Sequence, residues 1–284
     1  MQKNCFFGHE YDPFLGRDIT VSYPIGANVS GTAVIRIHTQ DGFVIAADGL
    51  RRNIRGLEIT DSQQKIFRIE QRGGIVAYAL TGVTFIQEDA QTTFSVSDAI
   101  AKITNGLLID HFTTAERYVR KFGKSAIDSL RKAQKNGQIK QFQDFGKQGL
   151  IVKILFAGYH QKQPFMADIT LLHNKQKLQP PQLEFKEYLP DMTDMKLAGS
   201  EIVFNGLLHT DNPDLVRFRS GGFIKFRNKQ SLSESDVIEL AHNYIAACAD
   251  AAGRKLDPDC LGIGGHTHIA IIKPDGFRWI IPPA

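Results

Sequence analysis

The run Gly31-Thr32-Ala33-Val34-Ile35-Arg36-Ile37-His38 is answered, after Asp41-Gly42, by Phe43-Val44-Ile45-Ala46-Ala47-Asp48, and these two stretches decide how the chain is read. Thr32–His38 is rich in β-branched residues, and alternation puts Val34 on one face and Ile35 and Ile37 on the other. Asp41-Gly42 is a turn signal, so the two runs read as paired strands, each buried on at least one face. Lys65 follows in Gln64-Lys65-Ile66-Phe67. Lys65–Ile69 and Ile75–Leu80 read as a second strand pair around Arg72-Gly73-Gly74, closed by Gly82. A threonine with a carboxylate and a lysine folded around it can act as a nucleophile. If the bond before Thr32 is cut, that residue also gains a free α-amine and supplies both nucleophile and base.

Upstream, residues 1–31 carry Gly8, Pro13, Gly16, Pro24, Gly26 and Gly31 with no sustained period, and read as an irregular leader. Phe6, Phe7, Tyr11, Phe14 and Tyr23 suit it to packing on a surface. Downstream of the first strand pair, residues 49–62 form a polar connection with Arg51, Arg52, Asn53 and Gly56. Asp98–Leu108 reads as a helix. A second helix starts at Thr113, whose Glu116 three residues later matches a capping box. Tyr118, Phe122, Ala126 and Leu130 form its apolar face, and Arg117, Arg120, Lys124 and Arg131 a solvated basic one. Leu150–Ala157 and Phe165–Leu172 resume as strands, Pro180-Pro181 is a connection, and Lys196–Gly199 is a short strand ending in Ser200. A strong helix begins near Ser231 or Ser233, carries Val237, Leu240, Ala241, Tyr244, Cys248 and Ala251 on one face, and stops at Gly253. His266–Ile272 and Phe277–Ile281 close the chain as strands about the turn Pro274-Asp275-Gly276. Segregated runs of strands and helices predict two antiparallel sheets covered by helix layers, α+β rather than alternating α/β.

The chain has 284 residues, 42% of them hydrophobic and 23% charged, which is enough for a sizeable core. A net charge of +4 with both signs interspersed, and no aromatic-plus-basic module, argue against a nucleic-acid partner. No apolar run reaches the ~20 residues of a membrane span, and the N-terminus lacks a secretory pattern. Cys5, Cys248 and Cys260 show no metal-ligand spacing, and read as reduced thiols of a cytoplasmic protein. His266 and His268 point to one face of a strand, where packing or surface is the expectation and a metal site lacks a third ligand.

Gly31-Thr32 opening the first strand, Asp48 ending the second, Lys65 opening the third and Thr81-Gly82 ending the fourth together resemble the proteasome-type family of N-terminal-nucleophile hydrolases. Ala198-Gly199-Ser200, Gly264-Gly265 and Asp275-Gly276 extend the likeness. The resemblance implies a four-layer αββα sandwich of two antiparallel sheets between helix layers, with residues 1–31 as leader or propeptide and 32–284 as the hydrolase domain. It implies that Thr32 is the nucleophile of a threonine peptidase, exposed by self-cleavage after Gly31. Lys65 would lie beside its Oγ and lower the pKa of nucleophile and amine, and Asp48 would orient Lys65. Gly82 would offer its N–H to the oxyanion, and Ser200 would hydrogen-bond near the amine. Arg51, Gln63, Leu80 and Thr84 match the positions lining the pocket beside the nucleophile; such a pocket, polar with one cation, would tolerate acidic or polar side chains. The resemblance further implies a peptide or unfolded-protein substrate, a homo-oligomeric ring, an ATP-dependent unfoldase partner, and no metal or organic cofactor.

The chain departs from the family pattern at two places. Active members carry an Asp and, three residues on, a Ser just before Gly-Gly, where this chain has Cys260 and Ile263. Asp259, one residue away, is the expected substitute with a shift. The rival readings are a non-catalytic ring subunit, an uncleaved scaffold of the same fold, and a different amide hydrolase with the same nucleophile logic. Ile19-Thr20-Val21-Ser22-Tyr23-Pro24 resembles the entry segment of α-type subunits, but only Ile25–Ser30 then intervene before Gly31, too short for the helix those subunits carry.

Overall fold

Small apolar side chains on the inner faces of two sheets let those sheets lie close together, and this contact is the middle of the molecule. The computed structural model describes residues 5–12, 17–24, 32–52, 58–88, 91–142, 149–187, 194–209 and 213–284. The elements are β1 (Cys5–Asp12), β2 (Arg17–Pro24), β3 (Val34–Thr39), β4 (Gly42–Ala47), β5 (Arg51–Arg52), β6 (Glu58–Thr60), β7 (Ile66–Gln71), β8 (Gly74–Gly82), β9 (Phe85–Glu88) and β10 (Gln91–Ser95). Then come α1 (Val96–Gly106), α2 (Ala115–Lys135), β11 (Leu150–His160), β12 (Gln163–Asn174), β13 (Lys177–Leu178), β14 (Gln182–Glu187) and β15 (Asp194–Ala198). Last are α3 (Glu201–His209), α4 (Pro213–Val216), α5 (Gly221–Arg227), α6 (Glu234–Ala249), α7 (Ala251–Leu256), β16 (His268–Lys273) and β17 (Gly276–Ile281).

One sheet runs β15-β3-β4-β16-β17 and the other β13-β12-β11-β8-β7, with β14 also on β12; every pairing is antiparallel. Val34, Ile45, Ala47, Ala77, Ala79, Ala157 and Ala270 meet between the sheets. Ile35 and Ile37, on the other face of β3, pack under α3, α5 and α6 with Phe204, Leu240 and Tyr244. Tyr78 and Leu80 pack under α1 and α2 with Tyr118, Phe122 and Leu130. The layers are therefore helix, sheet, sheet, helix: the α+β sandwich of two antiparallel sheets between helices. The alternation read from Val34, Ile35 and Ile37 separates the two cores as expected.

Arg36 pins the sheets together. It is 4% exposed, and its Nη1 donates to the Phe156 and Ala167 carbonyls and to Asp168 Oδ1 at 2.8, 3.0 and 2.8 Å. Lys153 and Lys196 lie 3.3 and 3.6 Å from Asp168 Oδ2, so a buried carboxylate is ringed by three cations.

Four local readings change. Part of the irregular leader is a hairpin: β1 and β2 pair from Cys5↔Pro24 to Asp12↔Arg17. Pro13 and Gly16 fall between those strands and Pro24 at an end, while Gly8 lies inside β1 opposite Val21. The polar connection 49–62 contains the short pair β5–β6. Thr114, not Thr113, caps α2, accepting from Arg117 N at 3.3 Å; Glu116 then falls one residue early for a capping box and pairs with Arg120 instead. Helix α6 does start at Ser233, with a complete capping box to Asp236, but it ends at Ala249. Asp250 begins α7 there, and both Ala251 and Gly253 lie inside that helix. Among the described residues, no helix is long and apolar enough to cross a membrane.

Candidate active site

Residues 32–33 lead into β3 and residues 48–50 leave β4, so the hairpin brings Thr32 and Asp48 to one end of the same sheet. Asp48 N donates to the Ala33 carbonyl at 3.1 Å, and Ala33 N donates to Asp48 Oδ1 at 2.9 Å. Asp48 Oδ2 accepts from Leu50 N at 3.3 Å and from Gly264 N at 3.2 Å. Lys65, immediately before β7 in the facing sheet, donates its Nζ to Asp48 Oδ1 at 2.8 Å, and the same Nζ stands 3.5 Å from Thr32 Oγ1. The three residues therefore form a line, Asp48 to Lys65 to Thr32. Asp48 is fully buried and the Lys65 side chain 5% exposed, while Thr32 is half-buried, so only the hydroxyl end of the line meets solvent.

Burial pushes the Asp48 carboxyl up. The Lys65 charge, its hydrogen bond, and the Ala33 and Gly264 N–H groups act in the opposite sense. A carboxylate removed from water this completely depends on its lysine.

His268 supports the same segment. Its Nε2 donates to the Gln63 carbonyl at 2.9 Å, and Gln63 N donates to the Gly49 carbonyl at 2.8 Å, so residues 63–65 are held from both sides. The accepting carbonyl assigns the proton to Nε2. Desolvation by burial pushes the His268 imidazole below its usual value. The His266 and His268 rings stand 5.3 Å apart, and His266 Nε2 bonds the Pro282 carbonyl. Among the described residues, no group of three His, Cys, Asp or Glu side chains is placed to hold a metal ion.

The other expected residues fall less simply. The Gly31–Thr32 bond involves Gly31, outside the described residues. Gly82 is the last residue of β8; Leu80 N donates to the Lys65 carbonyl at 3.0 Å, which puts Gly82 two residues, roughly 7 Å, beyond the Lys65 pairing. At φ +98°, and with Ile151 O where a Cβ would come within 2.7 Å, this position needs glycine on backbone grounds alone. Ser200 is buried behind the site: its Oγ donates to Asp257 Oδ2 at 2.5 Å and accepts from Val203 N at 3.0 Å. Among the described residues, no hydrogen bond joins Gly82 or Ser200 to Thr32. Gly199 continues β15, which pairs with β3, and lies against the segment that carries Thr32. A Cβ there would stand 3.1 Å from Ala33 Cα and 2.6 Å from Tyr244 Oη, so the backbone of 199–200 lies directly against 32–33.

Asp257, not Asp259, is the carboxylate of this neighbourhood, and sequence reasoning missed it. The signal was present as Asp257-Pro258: an Asp before Pro is an N-cap with Pro in the first helical position, and Asp257 does cap a 3₁₀ turn, accepting from Asp259 N at 3.0 Å. Cys260 and Ile263 are core residues, 0% and 1% exposed. Cys260 shares a hydrogen bond with Cys248, which together with burial holds the Cys248 thiol far above its usual pKa and unreactive.

Of the pocket positions, Arg51 lies with its guanidinium 3.5 Å over the Phe85 ring, next to half-buried Thr84. Gln63 is on the Lys65 segment. Leu80 is 1% exposed and packed in the core under α1 and α2, so the expectation that its side chain lines the pocket is corrected: strand alternation turns it to the helix layer, and β8 offers backbone there.

No protein-family model and no curated protein matches this sequence. Among solved structures, the chain is similar to the Anbu (Gly-1) mutant from Hyphomicrobium sp. strain MC1, with a TM-score of 0.50 at 12% identity, covering 88% of this chain and 88% of that one. At that identity the likeness shows the fold, a proteasome-like one.

Replacing Lys65 by Met strands the Asp48 carboxylate in the core, and is expected to lower unfolding stability by about 3–5 kcal/mol. Urea unfolding at pH 7 reads this directly; a loss below ~1 kcal/mol contradicts the dependence of Asp48 on Lys65. The depressed His268 carries a pH signature. Below the unfolded pKa the unfolded chain binds the proton more readily than the fold, so stability is full above about pH 6.5 and falls as pH drops toward the lower folded value. Part of that slope between pH 7 and 5 should vanish in His268→Gln, and an identical slope in the variant refutes the assignment.

Proposed function

We propose that this chain is a threonine-type peptidase of the proteasome-like kind, with Thr32 as nucleophile after self-cleavage at Gly31-Thr32. The observation that carries the reading is the line of Asp48 Oδ1, Lys65 Nζ and Thr32 Oγ1, spaced at 2.8 and 3.5 Å with only the hydroxyl end half-exposed. Apo hydrogen bonds at catalytic centres are often long, so 3.5 Å suits a nucleophile awaiting substrate.

In this mechanism the Thr32 hydroxyl attacks a peptide carbonyl. Its proton passes to the α-amine of Thr32, directly or through a water, and a C–O bond forms. The tetrahedral intermediate collapses by breaking the C–N bond, and the leaving amine takes the proton. Water then hydrolyses the ester. The Lys65 cation favours the ionised hydroxyl and the unprotonated amine by proximity. Asp48 fixes Lys65, and His268 fixes the segment that carries it, as a positioning residue. The Gly82 N–H is assigned to the oxyanion. Ser200, its hydroxyl engaged by Asp257, is assigned to shaping the backbone beside the amine. In the self-cleavage at Gly31-Thr32 the Thr32 nitrogen is still an amide, so a water takes the hydroxyl proton instead; the Thr32 Oγ–C bond forms as the Gly31–Thr32 C–N bond breaks, the proton goes to the released Thr32 amine, and water hydrolyses the ester to free residues 1–31.

The substrate class is peptide or unfolded protein. The reading extends to assembly as a homo-oligomeric ring that encloses the site, to an ATP-dependent unfoldase partner, and to a cytoplasmic location. The Arg51 charge over Phe85, with Thr84 and Gln63 at the other matched positions, favours acidic or polar side chains next to the cleaved bond. Peptide libraries with acidic, apolar and basic residues at that place test it, and strong selectivity for basic residues would sink it.

A specific observation supports a second reading. Cys260 and Ile263, at the positions that orient the terminal amine in active relatives, are sealed in the core. A non-catalytic ring or scaffold subunit of the same fold would have this character. Intact mass and N-terminal sequencing of the purified chain beside Thr32→Ala separate the two. The peptidase reading expects a wild-type chain beginning at Thr32 and a full-length variant. Retention of residues 1–31 in both puts the non-catalytic subunit ahead.

A further inference from the structure

The positive charge of this molecule is concentrated on one helix face. Helix α2 carries seven Lys and Arg against two carboxylates, Glu116 and Asp128, while the whole chain has a formal net charge of +4. The rest of the molecule therefore has no net positive charge. All seven cations are exposed, and Tyr118, Phe122 and Leu130 turn the opposite face of α2 into the core. Steps of three and four residues place Arg117, Lys121, Lys124, Asp128, Lys132 and Lys135 along one stripe, ~27 Å from end to end.

Such stripes are usually neutralised by carboxylates three or four residues away. Here that happens twice: Arg120 bonds Glu116 at 2.6 Å and Arg131 bonds Asp128 at 3.0 Å. Arg117 donates to the Thr113 hydroxyl at 3.2 Å. Among the described residues, Lys121, Lys124, Lys132 and Lys135 make no ion pair and no side-chain hydrogen bond. Arg117 and Lys121, Arg120 and Lys124, and Arg131 and Lys135 are like charges four residues apart, an arrangement that works against the helix until something neutralises it.

The face offers charge and nothing else. No large apolar side chain of α2 is exposed, and its aromatic rings, Tyr118 and Phe122, are buried. It therefore has nothing to insert into a lipid interface and no ring for a base to stack on. A nucleic-acid duplex spreads its phosphates over two strands, and the rest of the molecule has no excess of cations to follow the second one. A single acidic segment matches better, because carboxylates repeated along one side of a helix recur at the same steps of about 5–6 Å as these cations.

We propose that the solvent face of α2 docks an acidic segment of a partner protein, whose carboxylates pair with Lys121 and Lys124 toward one end of the stripe and with Lys132 and Lys135 toward the other. The inference is independent of the peptidase reading, since this face is turned away from the sheets that carry Thr32, Asp48 and Lys65.

The test follows the fluorescence anisotropy of a labelled peptide repeating Glu-Glu-Ala-Ala, ~27 Å long as a helix, titrated with the full chain. Saturable binding is expected, absent for the same peptide with Gln in place of Glu, and weakened as added salt shortens the Debye length from about 30 Å to about 8 Å. Lys121→Glu combined with Lys124→Glu should weaken it at least about tenfold, because each reversal removes an attraction and adds a repulsion. Lys229→Glu combined with Lys255→Glu, equally exposed but on the other helix layer, should leave it unchanged. Equal losses in the two double variants, or no loss in the first, overturn the proposal. Tighter binding of a DNA duplex or of phosphatidylserine vesicles through the same lysines also overturns it. Self-association of the chain that the Lys121 and Lys124 reversals abolish does so too, by putting a second copy on this face. Should that double variant fail to fold, Lys132→Glu combined with Lys135→Glu takes its place with the same expectation.

Discussion

Four separate stretches of chain meet on one carboxylate. Asp48 accepts from Ala33, Leu50 and Gly264 backbone N–H groups and from the Lys65 ammonium. Each of these donors belongs to a segment that would otherwise end in a loose loop: the entry to β3, the exit of β4, the approach to β7, and the Gly264-Gly265 turn before β16. A carboxylate offers about four lone-pair sites, and here all four are taken. Because the group is out of water, none of these bonds competes with solvent, and losing any one leaves a buried charge short of a partner. The geometry around Thr32 is thus a by-product of satisfying Asp48.

The polar chemistry behind this centre is closed. Ser200, Asp257, Tyr244, Cys248 and Cys260 form a buried group between the first sheet and its helices, in which each hydroxyl or thiol has a partner. Burial raises the Tyr244 hydroxyl well above its usual pKa, and Cys248 is held as a thiol, so neither is a ready nucleophile. The polar contacts at Arg36 are of another kind. That guanidinium spans the space between sheets to two carbonyls and Asp168, and fixes how the sheets sit on each other rather than any reacting group.

The strands around the site were legible because their patterns are local. Val34 against Ile35 and Ile37, the Asp41-Gly42 turn and the Arg72-Gly73-Gly74 turn each specify a hairpin within a few residues, and hairpins need no knowledge of the rest of the chain. Thr32, Asp48 and Lys65 inherit their places from those hairpins. What could not be read depends on partners far off in sequence. Asp257 is 57 residues from Ser200, and Gly264 is 216 from Asp48. Leu80 was misplaced for a subtler reason: its position relative to Lys65 was right, but its parity along β8 turns the side chain away. The leader hairpin was obscured by its own glycines and prolines, which mark the gap between two strands as strongly as they mark an irregular segment.

The ties on Asp48 begin at Ala33, one residue after the threonine. The β3–β4 ladder, starting at Val34↔Ala47, extends through the Ala33–Asp48 pair of bonds. Thr32 is thus clamped on its C-terminal side by the Asp48 ties. A substitution that shifts the Ala33–Asp48 pair of bonds would therefore move the threonine hydroxyl relative to the ammonium without touching either residue.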